Sequence, residues 1–372
     1  MTHLTKILRE VIEFATLDRR RDKPLSFYQR KVFYVARRWN AWCTSVCQEG
    51  KNISTYRSRI GEAIAFARNV AGRSQQELAD MLGVSRAAVW KAVKQLQDDG
   101  YHISAGRNLG YILENETDVL TAEGIRLNLP EKYRDVQVEV YRTVASTNTE
   151  AKAAALRGAA HGSIFAADEQ TAGRGRFGKA FYSPADTGLY MSVILKPHKP
   201  LTDCFFITAA AACAITGCIE ELCGINAGIK WVNDIFYNGR KICGILTEAM
   251  SDFESGMADV VIVGIGLNVR TTEFPEEISG VAGSLNVFAE RNRLCADIAA
   301  RLLDLTETGD NAALMEEYRS RSLVIGHDIV YQQDGREFTG RALGIDDAGR
   351  LIVENNGERI LLRSGEISIR DF

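Results

Sequence analysis

The segment "GIKWVNDIFYNGRKICGILTEA" (228–249) constrains the fold more than any other stretch of its length. Asn238-Gly239 stands between two apolar runs, and both residue types accept the positive φ that a two-residue hairpin turn demands. An antiparallel strand pair is expected here. A lone hairpin is marginal in water and needs a covered face. Just upstream, "FITAAAACAITGCIEEL" reads as an Ala-rich buried helix. Further strands are read at "GSIFAADEQT", "TGLYMSVIL" and "ADVVIVGIGLNV", the last ending in a glycine-rich turn. "VQVEVYRTVASTNTEAKAAAL" runs from strand into helix. The middle of the chain, 117–322, therefore reads as a mixed α/β domain.

Within it lies "EQTAGRGRFGKAFYSP" (169–184), with three glycines, two arginines and a lysine inside seven positions. Glycine lets main-chain N–H groups approach a ligand, and a guanidinium grips phosphate or carboxylate through parallel bonds. The loop reads either as the cover of an anion or as a solvated turn. Ser146-Thr147-Asn148, at the strand-to-helix junction, likewise reads as a helix cap or as hydrogen-bonding groups for a polar ligand head.

At 372 residues the chain has room for two or three domains, and 46% hydrophobic content allows a sizeable core. No apolar run reaches the roughly 18 residues of a membrane span, and no secretory signal is read at the N-terminus. Eight cysteines are too sparse for a disulfide scaffold, and Cys213 and Cys218 sit in apolar context, so a reduced, cytoplasmic protein is expected. The five histidines show no paired ligand spacing, and Cys43 and Cys47 form only a lone C-x3-C; no protein-borne metal is assigned. Neither a Ser-His-Asp nor a Cys-His pairing is evident.

The net charge of −3 conceals a local excess: through Arg57 there are twelve Lys/Arg against five Asp/Glu. This basic, aromatic, helix-patterned extension (1–57) reads as added phosphate contacts, a solvated face or a helical pair packed on its neighbour. Next, in 58–116, comes "SQQELADMLGVSRAAVWKAVKQLQDDGYHISAGRNLGYIL". Ser74 and Glu77 form a capping box, Gly83 allows a tight turn, and Ser85 caps a second helix. Val89, Val93 and Leu96 share one face of that helix, leaving Arg86, Lys91, Lys94 and Gln95 outside. Two β-like runs around a Gly/Asn/Arg turn follow. This is the pattern of a winged helix-turn-helix, preceded by a first helix at "RIGEAIAFARNVAG". Ser85, Arg86, Lys91 and Lys94 are the expected DNA contacts, with Arg107 at the wing tip.

The motifs S-T-N, G-R-G-R-x-G, K-W-x-N-D, R-K-x-x-G-I-L and G-I-G-x-N-V, in that order, resemble the biotin protein ligases. With the winged helix in front, the likeness is to the bifunctional subgroup that also represses biotin genes. It implies a central domain of class II aminoacyl-tRNA-synthetase-like α/β fold. It also implies an ATP-dependent reaction that joins biotin to AMP and passes it to one lysine of a biotin carboxyl carrier protein. By this likeness Ser146, Thr147, Asn148 and Gln170 line the biotin end. Gly173, Arg174 and Arg176 surround the carboxylate and phosphate. Lys241, near Gly244, contacts biotin and the acyl-phosphate, and Lys230 is a second cation in the same site. Asp234 steers the incoming lysine, and Asn268 lies at the nucleotide side. Biotin, ATP and Mg²⁺ are the implied small molecules. Operator DNA and a homodimer formed with adenylate bound are the implied assemblies. The chain departs from the family pattern at Val232, where proline is usual, at Lys179, where arginine is usual, and at Phe181, where tryptophan is usual.

The tail (323–372) alternates strand-like runs with Asp-Gly, Ala-Gly and Asn-Gly turns, the spacing of a small barrel. It resembles the SH3-like C-terminal domain of the same family. The whole is expected to be an α+β multidomain protein. Two rivals remain: a lipoate-type ligase, and a biotin-sensing transcription factor without catalysis. Intact Arg176, Lys230 and Lys241 favour catalysis.

Overall fold

The computed structural model describes Gln75, Gln76, Ala79, and residues 85–98, 103–106, 110–113, 118–197, 199–200, 204–251, 257–333 and 335–370. The basic extension, the first helix of the winged motif, Ser74, Glu77, Gly83 and Arg107 lie outside the described residues. The chain divides into two compact units, Met1–Val119 and Leu120–Phe372.

In the first unit, helix α1 (Arg86–Asp98) precedes strands β1 (Ile103–Gly106) and β2 (Gly110–Leu113), which pair antiparallel. Ser85 caps α1 through its side-chain oxygen, which accepts from the Ala88 N–H at 3.2 Å. Val89 and Val93 are buried, four residues apart on one helix face. Arg86, Lys91 and Lys94 are exposed, and so is Trp90, at 55%.

The second unit opens with α2 (Ala122–Asn128), capped by Thr121, and then strand β3 (Val138–Val144). Helix α3 (Thr147–Leu156), β4 (Ile164–Gln170), β5 (Gly188–Leu195) and the short β6 (Lys199–Pro200) follow. Then come α4 (Cys204–Cys223), β7 (Gly228–Lys230), β8 (Asp234–Tyr237), β9 (Arg240–Ser251) and β10 (Met257–Asn268). The eight strands form one sheet in the order β3-β4-β5-β10-β9-β8-β7, with β6 also on β10. Only β3 and β4 run parallel; the other neighbours are antiparallel. At the β8–β9 turn Asn238 has φ 49° and Gly239 φ 72°, the double positive-φ geometry that the Asn-Gly pair suits.

Helix α4 corrects one expectation. Its 20 residues, with mean hydropathy 1.6, are long and apolar enough by length and composition to cross a membrane. Ile207 and the run from Ala209 to Ile219 are instead buried in the core that packs against the sheet. Small residues let it approach closely, and Gly217 leaves space for the Arg301 guanidinium.

Three helices occupy a stretch to which the sequence reading assigned no structure beyond a loop. They are the single turn α5 (Glu276–Ser279), then α6 (Arg291–Thr308) and α7 (Asn311–Ser320). The last five strands, β11 (Asp328–Gln333), β12 (Arg336–Ile345), β13 (Leu351–Asn355), β14 (Glu358–Leu362) and β15 (Ile367–Ile369), form an antiparallel sheet ordered β14-β13-β12-β11-β15. This sheet is bound to the central domain by specific contacts. The Trp231 indole donates to the Gly349 carbonyl at 3.0 Å, and the Arg319 Nε donates to the Ile345 carbonyl at 2.6 Å. Gly349, at φ 78°, leaves room for the Phe205 ring beside it.

Candidate active site

Two glycines make the floor. Gly244 of β9 and Gly266 of β10 stand opposite each other in the ladder, leaving a strip without side chains. The Phe181 ring lies over them: a Cβ on Gly266 would come within 2.5 Å of the ring, and one on Gly244 within 3.4 Å. Phe181 also meets Tyr190 edge-on, with centroids 6.5 Å apart. Phenylalanine at this position thus forms an apolar wall.

To one side of the floor runs a connected set of polar groups. The strand-to-helix junction places Ser146 at the N-cap position of α3, yet its side chain makes no capping bond. The Thr147 N–H is instead satisfied by Gln170 Oε1 at 2.9 Å, and Gln170 Nε2 donates to Ser183 Oγ at 3.0 Å. Asn148 Nδ2 donates to Glu248 Oε2 at 2.7 Å, and Lys152 pairs with the other oxygen of that carboxylate. Ser146, Thr147 and Asn148 are all buried. The Ser146 hydroxyl thus makes no capping bond.

To the other side stand the cations. Lys241 and Asp234 form an ion pair at 2.7 Å. Lys230, across the β7–β8 ladder from Asp234, lies with its Nζ 5.1 Å from the Phe236 ring centroid. Burial, and secondarily the Lys241 charge, pulls the Lys230 ammonium below the usual lysine range, against the raising effect of Asp234. Arg176 Nη1 donates to Asn233 Oδ1 at 3.0 Å and to the Gly365 carbonyl at 3.4 Å. Lys179 pairs with Glu366 at 2.7 Å. The Trp231–Val232 peptide bond, within the same motif, is cis.

The Gly-Arg loop is a small hairpin. The Phe181 N–H donates to the Gly173 carbonyl at 2.9 Å, and the Gly175 N–H to the Lys179 carbonyl at 2.7 Å. Gly173 is required by packing, since a Cβ there would sit 2.6 Å from the Phe181 carbonyl oxygen. Gly178, at φ 74°, is required by the turn. The Gly175 amide is thus committed within the loop. Of its two arginines, Arg176 is half-buried and Arg174 exposed.

Asn268 ends β10, buried, with Nδ2 donating to the Gly283 carbonyl at 2.9 Å. It ties down the 270–284 segment. That segment also touches the lysine strand, where the Lys241 N–H donates to the Val281 carbonyl and the Gly283 N–H to the Lys241 carbonyl, both at 2.8 Å.

Ser183, Glu248 and the Gly365-Glu366 pair had no sequence signal, and Asn233, though part of the K-W-x-N-D motif, had no role assigned to it. The buried Arg291 is another; its Nη1 lies 2.6 Å from Asp168 and 3.1 Å from the Gly188 carbonyl. Their partners are remote in sequence, up to 189 positions away for Arg176 and Gly365.

The central domain matches the biotin/lipoate A/B protein ligase family over 140–268. An HTH domain matches over 67–112 and the biotin protein ligase C-terminal domain over 325–370. The chain belongs to the biotin/lipoate protein ligase family. Among its relatives, the bifunctional ligase/repressor BirA of Bacillus subtilis is 34% identical over 312 residues, covering 82% of this chain and 95% of that protein. The biotin–[acetyl-CoA-carboxylase] ligase of Mycobacterium tuberculosis is 33% identical, covering 62% of this chain and 88% of its own. Among solved structures, the biotin protein ligase of Aquifex aeolicus in complex with biotin and ATP superposes with a TM-score of 0.54 at 26% identity, covering 63% of this chain and 98% of that one.

Proposed function

We propose that the chain is an ATP-dependent biotin protein ligase that is also a biotin-responsive transcriptional repressor, with domain limits at 57, 116 and 322. One observation carries the ligase reading. A paired, uncharged hydrogen-bond set (Thr147, Asn148, Gln170) and three cations (Arg176, Lys230, Lys241) flank one glycine floor roofed by Phe181. A neutral polar end suits a ureido ring, and a cationic end suits a carboxylate meeting a phosphate.

In the first step an oxygen of the biotin carboxylate attacks the α-phosphorus of Mg·ATP. The mixed anhydride forms and pyrophosphate leaves with the α–β bridging oxygen. Two anions approach each other, and the negative charge that develops needs cations fixed in advance. Lys241 and Lys230 are held there by Asp234 and the sheet, and Arg176 by Asn233. Magnesium enters with the nucleotide, bound chiefly through its phosphates. In the second step the ε-amine of a biotin carboxyl carrier protein attacks the acyl carbon, AMP leaves and the amine sheds a proton. Asp234, beside Lys241, is the carboxylate that steers the incoming ammonium.

The repressor reading rests on the first unit, where α1 presents Arg86, Lys91 and Lys94 to solvent. A homodimer on a palindromic operator doubles their contacts. Adenylate orders the Gly-Arg loop and the 270–284 segment, and the dimer forms where those loops meet its interface; the dimer must bind adenylate more tightly than the monomer does. The described cysteines carry free thiols, in keeping with a cytoplasmic protein.

Purified protein given ATP, labelled biotin or labelled lipoate, and an acceptor domain tests the ligase. Biotin is expected to label the acceptor; labelling by lipoate alone would overturn the reading. Sedimentation with and without biotin plus ATP tests the dimer, and equal dimerisation in both conditions removes it.

A further inference from the structure

The tip of the Gly-Arg hairpin carries a residue that its backbone does not favour. The Lys179 N–H donates to the Arg176 carbonyl at 3.2 Å, closing a two-residue turn over Phe177 and Gly178. Phe177 has φ 55° and ψ 27°, and Gly178 has φ 74°. A turn with positive φ at both central residues favours Asn, Asp or Gly at the first of them, because a bulky side chain is strained there. The same chain follows that rule at two other hairpin turns. Asn238 and Gly239 have φ 49° and 72°, and Asn356 and Gly357 have φ 53° and 84°. At 177 an aromatic ring stands in the place of the asparagine.

Burial does not explain the choice, since Phe177 is 69% exposed. Its ring instead lies against the neighbouring guanidinium, with Arg176 Cζ 4.9 Å from the ring centroid. Adjacent side chains point to opposite faces of a strand and diverge on a helix. Such a contact between neighbours needs a backbone turned out of both forms, and the positive φ at 177 supplies it. The hydrogen bonds of Arg176 leave from one nitrogen, Nη1, to Asn233 Oδ1 and to the Gly365 carbonyl. The ring acts on the face of the group, where a cation is attracted to the π-system. Contact there limits how far the free edge, Nε and Nη2, can swing.

We propose that Phe177 is a positioning residue whose ring backs the Arg176 guanidinium and keeps its free edge aimed at the phosphate of the adenylate. The proposal rests on the ligase reading of the site and deepens it. Phe177 does not touch the ligand; it acts through Arg176. Backbone strain of this kind gathers at ligand clamps, where the role of a side chain outweighs the preference of its backbone.

The test sets function against stability, on the full chain. Phe177→Gly removes the ring and suits the turn, so the melting temperature is expected to hold or rise. Release of biotinyl-adenylate, followed by stopped-flow displacement, is nevertheless expected to become about 2- to 5-fold faster. Phe177→Asn should behave as Phe177→Gly does. Phe177→Trp keeps an aromatic face and should stay within about twofold of the unaltered protein. In an Arg176→Ala background Phe177→Gly should add nothing, because the group it acts through is gone. An unchanged off-rate in Phe177→Gly overturns the proposal, and so does a Phe177→Trp protein that releases adenylate as fast as Phe177→Gly. A further acceleration of the same size on top of Arg176→Ala also overturns it, since the ring would then meet the ligand itself. If the unaltered protein forms no adenylate from biotin and ATP, the ligase reading falls and this proposal with it; adenylate formed and released at an unchanged rate removes only the role of Phe177.

Discussion

Arg176→Ala isolates one guanidinium on one loop. Both of its protein bonds, to Asn233 Oδ1 and to the Gly365 carbonyl, leave from Nη1. Those bonds hold the plane of the group and leave Nη2 and Nε, the edge that can take a phosphate through two parallel bonds. Binding the adenylate therefore requires no protein contact to break, and the full worth of a charge-assisted bond, about 1.5–3 kcal/mol, is available. Removing it should speed the release of biotinyl-adenylate by about 10- to 150-fold. Arg176→Lys keeps the charge without the fork and should fall between the two. Stopped-flow displacement of preformed adenylate measures the off-rate, and the far-ultraviolet spectrum and melting curve check the fold. An off-rate equal to that of the unaltered protein would refute the assignment of Arg176 to the phosphate.

Lys241→Ala should lower isotope exchange between pyrophosphate and ATP by about 100- to 1,000-fold, with a smaller effect on biotin affinity, since its charge matters most as the pentavalent phosphorus forms; normal exchange would remove it from the catalytic set. Lys230 acts as a cation only below its own pKa, which burial holds under the ordinary lysine value. The alkaline limb of the exchange rate should accordingly appear at lower pH than a free lysine would give, and Lys230→Arg should move it upward; a limb left in place by that change would assign it to another group. Trp90 projects from the same exposed face of α1 as Arg86, Lys91 and Lys94. Trp90→Ala should weaken operator binding about tenfold without changing its salt slope, because an indole neutralises no phosphate. A shallower slope would show that the loss is electrostatic.

Local signals in the sequence reached as far as local physics does. Asn238-Gly239 encodes its turn because positive φ is a property of those two residues, and Ser85 encodes its cap because the acceptor lies three positions from the donor. The Gly-Arg loop is legible as a concentration of charge on turn-forming backbone, but the reason for Gly173 is not. Residues 181 and 183 fold back onto it and leave no room for a Cβ, a fact about the hairpin that no local pattern carries. The Ser146 junction misled in the same way. Its residue types suit a cap, yet the Ser146 side chain makes no capping bond, and the first helical N–H is taken by Gln170, 23 positions beyond Thr147. Helices α6 and α7 were passed over despite a local cue, the Asp310 side chain accepting from the Ala313 N–H. In α6 Leu294, Ile298 and Leu302 do recur at helical spacing, but the buried Arg291 at its first turn has a role that appears only with Asp168, 123 positions away.

The two ends of the site use different physics, and this bears on the choice between ligases of the same family. At the cationic end Lys230, Lys241 and Arg176 act on the carboxylate and phosphate through charge and the guanidinium fork; any carboxylic acid activated with ATP would be served equally well by them. That end cannot distinguish biotin from lipoate. Discrimination has to come from the other end, where the groups are neutral, buried and paired with one another. Buried hydrogen-bonding groups matched to one ring reject another by leaving a polar group unsatisfied, and such rejection is stronger than a misfit methylene can supply. Gly264 and Glu248 are the two places where that network is anchored to the sheet: one gives the Asn148 carboxamide its space and the other its direction. Substrate choice in this chain is therefore expected to follow changes at 248 and 264, neither of which lies on the Gly-Arg loop, while the rate of adenylation follows changes at 230 and 241.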